Sequence, residues 1–155
     1  MLMQSKYGNH NNEAKAPLQH EVKREVMRIL VVEDNDIVKQ ITKESLELLG
    51  YEVAVVSTGQ KALDVYRKQF NLVLMDLGLP DIMGMEVTRE LRRRYPGDNT
   101  PIIACTTSSI DIKQKCLNAG MNGFIEKPFS IDQLGLYLKK FLPQRADWNC
   151  HFRSI

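Results

Sequence analysis

Nowhere in the 155 residues is there an apolar run approaching the roughly 20 positions a membrane helix needs, so no membrane segment is expected in this chain. Residues 1–26 are polar, rich in Asn, Gln and Lys, and lack the apolar core of a secretory signal. Cysteine is scarce. Cys105, Cys116 and Cys150 cannot all pair and none stands at metal-ligand spacing, which leaves a reducing cytoplasm as the simplest setting. Charge of one sign is lacking too. The formal net charge is +2 and residues 28–142 hold 15 basic and 15 acidic side chains, so no nucleic-acid partner is indicated. The local run Arg92-Arg93-Arg94 reads as a solvated helix end. The length suits one domain with short appendages.

What the chain does have is regular alternation. Ile29-Leu30-Val31-Val32 is an apolar run that ends in Glu33-Asp34-Asn35-Asp36. From Ile37 to Leu49 the residues Ile37, Ile41, Leu48 and Leu49 recur at helical spacing, Asp36 is placed to cap the helix, and Gly50 closes it. Tyr51–Val56 is a second strand, followed by a helix through Ala62, Leu63, Val65, Tyr66 and Phe70. Leu72-Val73-Leu74-Met75 then runs straight into Asp76, and Leu77-Gly78-Leu79-Pro80 ends that strand. A third helix spans Met85 to Tyr95, a strand Pro101 to Cys105, a helix about Ile110 to Ala119, a strand Gly123 to Glu126, and a helix from Ser130 through Phe141.

Residues 1–26 read as a disordered segment, 27–143 as the domain, and 144–155 as a tail without period, in which Trp148 and Phe152 could dock or stay disordered. Five alternating strand and helix units predict an α/β fold: a five-stranded parallel sheet of order 2-1-3-4-5 with helices on both faces.

Taken alone, Asp76 reads as a turn-capping carboxylate. Parallel strands change that, because all their carboxyl ends reach one edge. Glu33 and Asp34 then meet Asp76, Thr106 and Lys127. Three crowded carboxylates repel one another unless a cation compensates, and Mg2+, which takes oxygen ligands and keeps coordination open for phosphate, fits. A carboxylate beside Mg2+ can be a nucleophile toward phosphorus, with Lys127 and the Thr106 hydroxyl stabilising the transferring group.

These motifs, Glu33-Asp34-Asn35 after the first strand, Leu74-Met75-Asp76 through Pro80, Pro101 through Thr106, and Phe124-Ile125-Glu126-Lys127-Pro128-Phe129, resemble the receiver domain of bacterial two-component response regulators and hybrid histidine kinases over residues 28–142. The resemblance implies the flavodoxin-like receiver fold over residues 27–143. It implies that Asp76 is the phosphoacceptor and that Asp34, Asp76 and the Gly78 carbonyl bind Mg2+, or Mn2+ in its place, with Glu33 acting through a water. Thr106 and Lys127 would hold the phosphate, and Phe124 would be the aromatic that moves with Thr106. The implied partners are a histidine kinase or histidine phosphotransfer protein, and a downstream protein on the face of the fourth helix, fifth strand and fifth helix. Ile110, Leu117 and Leu136 are candidates there. The expected role is a cytoplasmic switch rather than a turnover enzyme, and nothing in the sequence sets an oligomeric state.

Gly78 departs from the larger residue often found two places after the phosphoacceptor. Two other readings compete. Asp34-Asn35-Asp36-Ile37-Val38 also fits the signature of haloacid-dehalogenase-like phosphatases, with Asp34 as nucleophile and Asp36 as acid/base. A phosphorylation-independent interaction module is the third, and the full set of five polar residues speaks against it.

Overall fold

A computed structural model describes residues 25–107 and 111–143. The expectations for residues 1–24, for Ile110, and for the tail from 144 to 155 lie outside the described residues.

The apolar runs become five strands, β1 (Arg28–Val32), β2 (Glu52–Val56), β3 (Leu72–Asp76), β4 (Ile102–Thr106) and β5 (Gly123–Glu126). Between and after them lie α1 (Asp36–Leu48), α2 (Gly59–Val65), α3 (Gly84–Arg94), α4 (Asp111–Asn118) and α5 (Ile131–Leu138). The strands are all parallel and ordered β2-β1-β3-β4-β5. Successive strand side chains point to opposite faces. Leu30, Val32, Val73, Met75, Ile102 and Ala104 therefore pack in one cluster with side chains of α2, α3 and α4. Ile29, Val31, Leu72, Leu74, Ile103 and Ile125 pack on the other face with Leu46 of α1 and Leu134 and Leu138 of α5. Burial on both faces is why these strands read as continuous apolar runs. The order reverses between β1 and β3, and that is where an open parallel sheet leaves a crevice beyond its strand ends.

Two local readings are corrected, the cap of α1 and the length of α2. Asn35, not Asp36, caps α1: its Oδ1 accepts from the Ile37 and Val38 backbone N–H groups. Asp36 is the first helical residue and pairs with Lys39 at 2.7 Å. Of the apolar side chains whose spacing marks α1, Ile37, Ile41 and Leu48 are 72%, 56% and 80% exposed, while Leu49 packs partly against the core that Thr42 and Leu46 face. Finally, α2 stops at Val65. Tyr66 is extended (φ −60°, ψ 130°), and the Arg67 guanidinium donates to the Asp64 and Tyr66 carbonyls that the broken helix leaves open. Tyr66 and Phe70 reach the core from this loop rather than from the helix.

Candidate functional site

At the carboxyl edge the ends of β1, β3, β4 and β5 come together. Glu33 follows β1 directly, its N–H donating to Val56 of β2 at 3.0 Å, and its side chain is buried. One Glu33 oxygen accepts from the Asn35 N–H at 3.0 Å, and the other accepts from Lys127 Nζ at 2.5 Å. The cap that starts α1 thus also fixes Glu33.

Asp76 ends β3, in register with Cys105 of β4. Its Oδ1 lies 3.5 Å from Lys127 Nζ. Glu33, Asp34 and Asp76 each present a carboxylate oxygen within 4.8 Å of the other two, with Asp34 exposed and Asp76 half-buried. Lys127 reaches this group because the backbone at the end of β5 is tied to β4, the Lys127 N–H donating to the Thr106 carbonyl at 2.8 Å, before the cis Lys127-Pro128 bond. Thr106 itself is buried at the end of β4.

One ammonium, paired with Glu33 and Asp76, faces a cluster of three carboxylates. Burial, the largest influence on Lys127, works to lower its pKa, but the hydrogen bond to Glu33 and the charges of Asp76 and Glu33 outweigh it, so the pKa is raised and the side chain stays cationic. Cys105 lies beneath the cluster. Burial pushes its thiol up to about 12, Lys127 opposing and Glu33 and Asp76 adding to the rise, so it is an inert packing group here. Excess negative charge on hard oxygen donors, with one carboxylate facing solvent, fits a divalent cation that keeps open coordination positions.

The loop after β3 is pinned by residues to which the sequence reading gave no role. The Asp81 carboxylate accepts from the Gly59 and Gln60 N–H groups at the start of α2, both at 2.8 Å, and these backbone bonds hold its pKa below the usual value. Gly84 opens α3 against the backbone of Asp76, where a Cβ would fall 2.2 Å from the Asp76 carbonyl oxygen. A glycine beginning a helix, where it is a poor helix former, was the available signal for this close approach. Gly78 is the opposite case: it is exposed and a Cβ there meets nothing within 4 Å.

Residues 29–139 match the family model for the response regulator receiver domain. The chain belongs to this family. The receiver domain is 37% identical over 123 residues to the aerobic respiration control sensor protein ArcB of Escherichia coli, covering 78% of this chain and 16% of that protein. It is 35% identical over 123 residues to the osmosensing histidine protein kinase SLN1 of Saccharomyces cerevisiae, covering 74% and 10%. The chain therefore spans a small part of these curated relatives. Among solved structures it resembles Vibrio cholerae chemotaxis protein CheY4 (TM-score 0.71, 29% identity, covering 76% of this chain and 99% of that one). It also resembles the receiver domain of sensor histidine kinase PA1611 of Pseudomonas aeruginosa, solved with a magnesium ion coordinated in the active-site cleft (TM-score 0.69, 34% identity, 75% and 97%).

The expected fold and strand order are thus those of the family, whose members are phosphoacceptor modules of two-component signalling. Receiver domains bind Mg2+ at an acidic site, and the receiver domain here has such a cluster. Asp36, the acid/base of the competing phosphatase reading, stands outside the cluster with its carboxylate on Lys39, which leaves that reading without its second carboxylate. Phe124 lies on β5 opposite Ala104, half-buried, two residues short of the level of Thr106. Leu117 and Leu136 are exposed on α4 and α5. No described helix is long and apolar enough to cross a membrane.

Proposed function

We propose that Asp76 accepts a phosphoryl group from a phosphohistidine of a histidine kinase or histidine phosphotransfer protein. An Asp76 oxygen forms the new P–O bond as the P–N bond breaks, and the electron pair leaves with the imidazole, which takes up a proton. Asp34, Asp76 and the Gly78 carbonyl would hold Mg2+ or Mn2+, with Glu33 behind them. When bound, the ion neutralises charge that develops on the transferring oxygens. Lys127 supplies the second cation and Thr106 a hydroxyl donor. The observation that carries this reading is the position of Lys127, bonded to Glu33 at 2.5 Å and 3.5 Å from Asp76. A short swing places its ammonium on an oxygen of a phosphorylated Asp76.

The new dianion would draw Thr106 and Lys127 toward it, and Phe124 would follow Thr106. The altered surface of α4, β5 and α5, with Leu117 and Leu136 exposed on it, would meet the downstream protein. Ile37 and Ile41, exposed and one turn apart on α1, the helix that begins at Asp36, would offer the phosphodonor an apolar landing. The domain spans residues 27–143 and works as a cytoplasmic switch, its only reactions being phosphoryl acceptance and slow self-hydrolysis. Incubation with a phosphorylated histidine phosphotransfer protein and Mg2+ tests the reading. One acid-stable, base-labile phosphoryl group per chain is expected, and none when the metal is chelated before the donor is added. A chain that never takes label, or that turns over phosphate monoesters, would refute it.

A further inference from the structure

Phe124 is gripped from two sides. Lys113 of α4 places its ammonium 4.2 Å from the centroid of the Phe124 ring, well inside the range of a cation–π contact. From α5, the Tyr137 hydroxyl accepts from the Phe124 backbone N–H at 3.0 Å. Gly123 makes that second contact feasible, because a Cβ there would fall 2.5 Å from the Tyr137 hydroxyl oxygen and 3.0 Å from Phe141. The glycine gives up side-chain packing on β5 and the phenol fills the space. Tyr137 also stacks at a tilt on Phe141, ring centroids 5.4 Å apart, which limits its freedom to follow a moving strand. One residue of β5 is thus held by both helices that flank it, by its ring and by its backbone separately.

We propose that Lys113 and Tyr137 are positioning residues for the Phe124 switch, holding the ring against α4 so that a phosphoryl group on Asp76 acts against their combined hold. The inference rests on the functional reading above and adds its mechanical counterweight. Lys127 is bonded to Glu33 at 2.5 Å and stands 3.5 Å from Asp76, and we take the Phe124 position that accompanies this arrangement as the resting one. Departure of the ring breaks the Lys113 contact, and a ligand that requires departure must offset that loss. Removing the charge over the ring therefore eases the switch. A contact of this kind at a half-exposed site is equivalent to about a two- to five-fold change in an equilibrium constant.

The test uses the whole chain carrying fluorophenylalanine, with the Phe124 fluorine signal assigned by Phe124→Leu. Mg2+ with beryllium fluoride, whose tetrahedral anion stands in for the phosphoryl group, is titrated while that signal is followed. Lys113→Met keeps the aliphatic stem and should lower the midpoint of the Phe124 response about two- to five-fold, and Lys113→Arg should restore the parent value. Tyr137→Phe should speed hydrogen exchange at the Phe124 amide by about two- to ten-fold, which loss of packing alone would not confine to that amide. A Lys113→Met midpoint equal to the parent's, with acetyl phosphate still labelling Asp76, overturns this inference and leaves the functional reading intact. A Phe124 signal that ignores beryllium fluoride in a parent chain labelled on Asp76 overturns this inference together with the Phe124 movement, and leaves Asp76 as the phosphoacceptor. A parent that takes no label on Asp76 overturns both.

Discussion

At the amino edge of the sheet one guanidinium answers four acceptors, whereas at the carboxyl edge a cluster of three carboxylates holds one ammonium, paired with two of them. Arg92 donates to the Gly120, Asp98 and Thr100 carbonyls and to Asn122 Oδ1, all at 2.8 to 3.0 Å. Beside it the Tyr66 hydroxyl donates to Asp98 at 2.6 Å, and Asp98 also accepts from the Thr100 hydroxyl and N–H. Both edges gather polar groups from distant parts of the chain for the same topological reason. They differ in balance. A network whose donors and acceptors match each other holds loops together, while a surplus of one sign stores repulsion that a cation and a phosphoryl group can relieve. That difference separates structural polarity from reactive polarity more sharply than burial does, since Glu33 is itself buried.

The comparison makes different demands on variants at the two edges. The largest effect is expected at the reactive edge: Lys127→Met should slow labelling by acetyl phosphate about 10²- to 10³-fold, the usual cost of removing a preorganised charge-stabilising donor, measured as initial rates under matched Mg2+. Next comes the amino edge. Arg92→Ala strands several carbonyls and should lower stability by about 3 kcal/mol in urea unfolding, with the labelling rate of the folded fraction unchanged. Asp76→Asn should do the reverse and raise stability by roughly 1 kcal/mol. At equal screening, its two repulsions within 4.8 Å outweigh its one attraction at 3.5 Å. A destabilised Asp76→Asn would break the comparison outright.

The smallest effect is a pH dependence. Burial first, and the hydrogen bond to Asp98 second, push the Tyr66 phenol up to about 12 from its ordinary value of 10.0. The folded state therefore favours the protonated phenol. Its contribution is complete below pH 10 and is lost as pH rises from 10 toward 12, and Tyr66→Phe should show a shallower stability loss across that window. Melting temperatures at several alkaline pH values would check it.

Much of this was legible in the residues because the alternation is regular. Runs such as Leu72–Met75, apolar without alternation, require cover on both faces, and parallel strands then force Glu33, Asp34, Asp76, Thr106 and Lys127 to one edge. Helix faces were less legible. Ile37, Ile41 and Leu48 mark α1 as helical, yet the side that packs is decided by where the helix crosses the sheet, and Thr42 faces inward instead. The Phe70 helix failed for a related reason: a buried aromatic at helical spacing says nothing of whether helix or loop delivers it. Lys113 and Tyr137 were out of reach because their contacts with Phe124 join separate elements through side chains, and no local spacing encodes them. Gly84 and Asp81 carried a signal, a small residue and an acid after a strand-ending loop, that only the approach of α3 and α2 makes specific.

The most direct test of the account is the site of phosphoryl attachment. The parent chain and Asp76→Asn are incubated with a phosphohistidine donor and Mg2+, and the acyl phosphate is trapped by borohydride reduction and located by peptide mass spectrometry. The account predicts one trapped site, Asp76, in the parent and none in the variant. Equal labelling of Asp76→Asn, or attachment at Asp34, would contradict it.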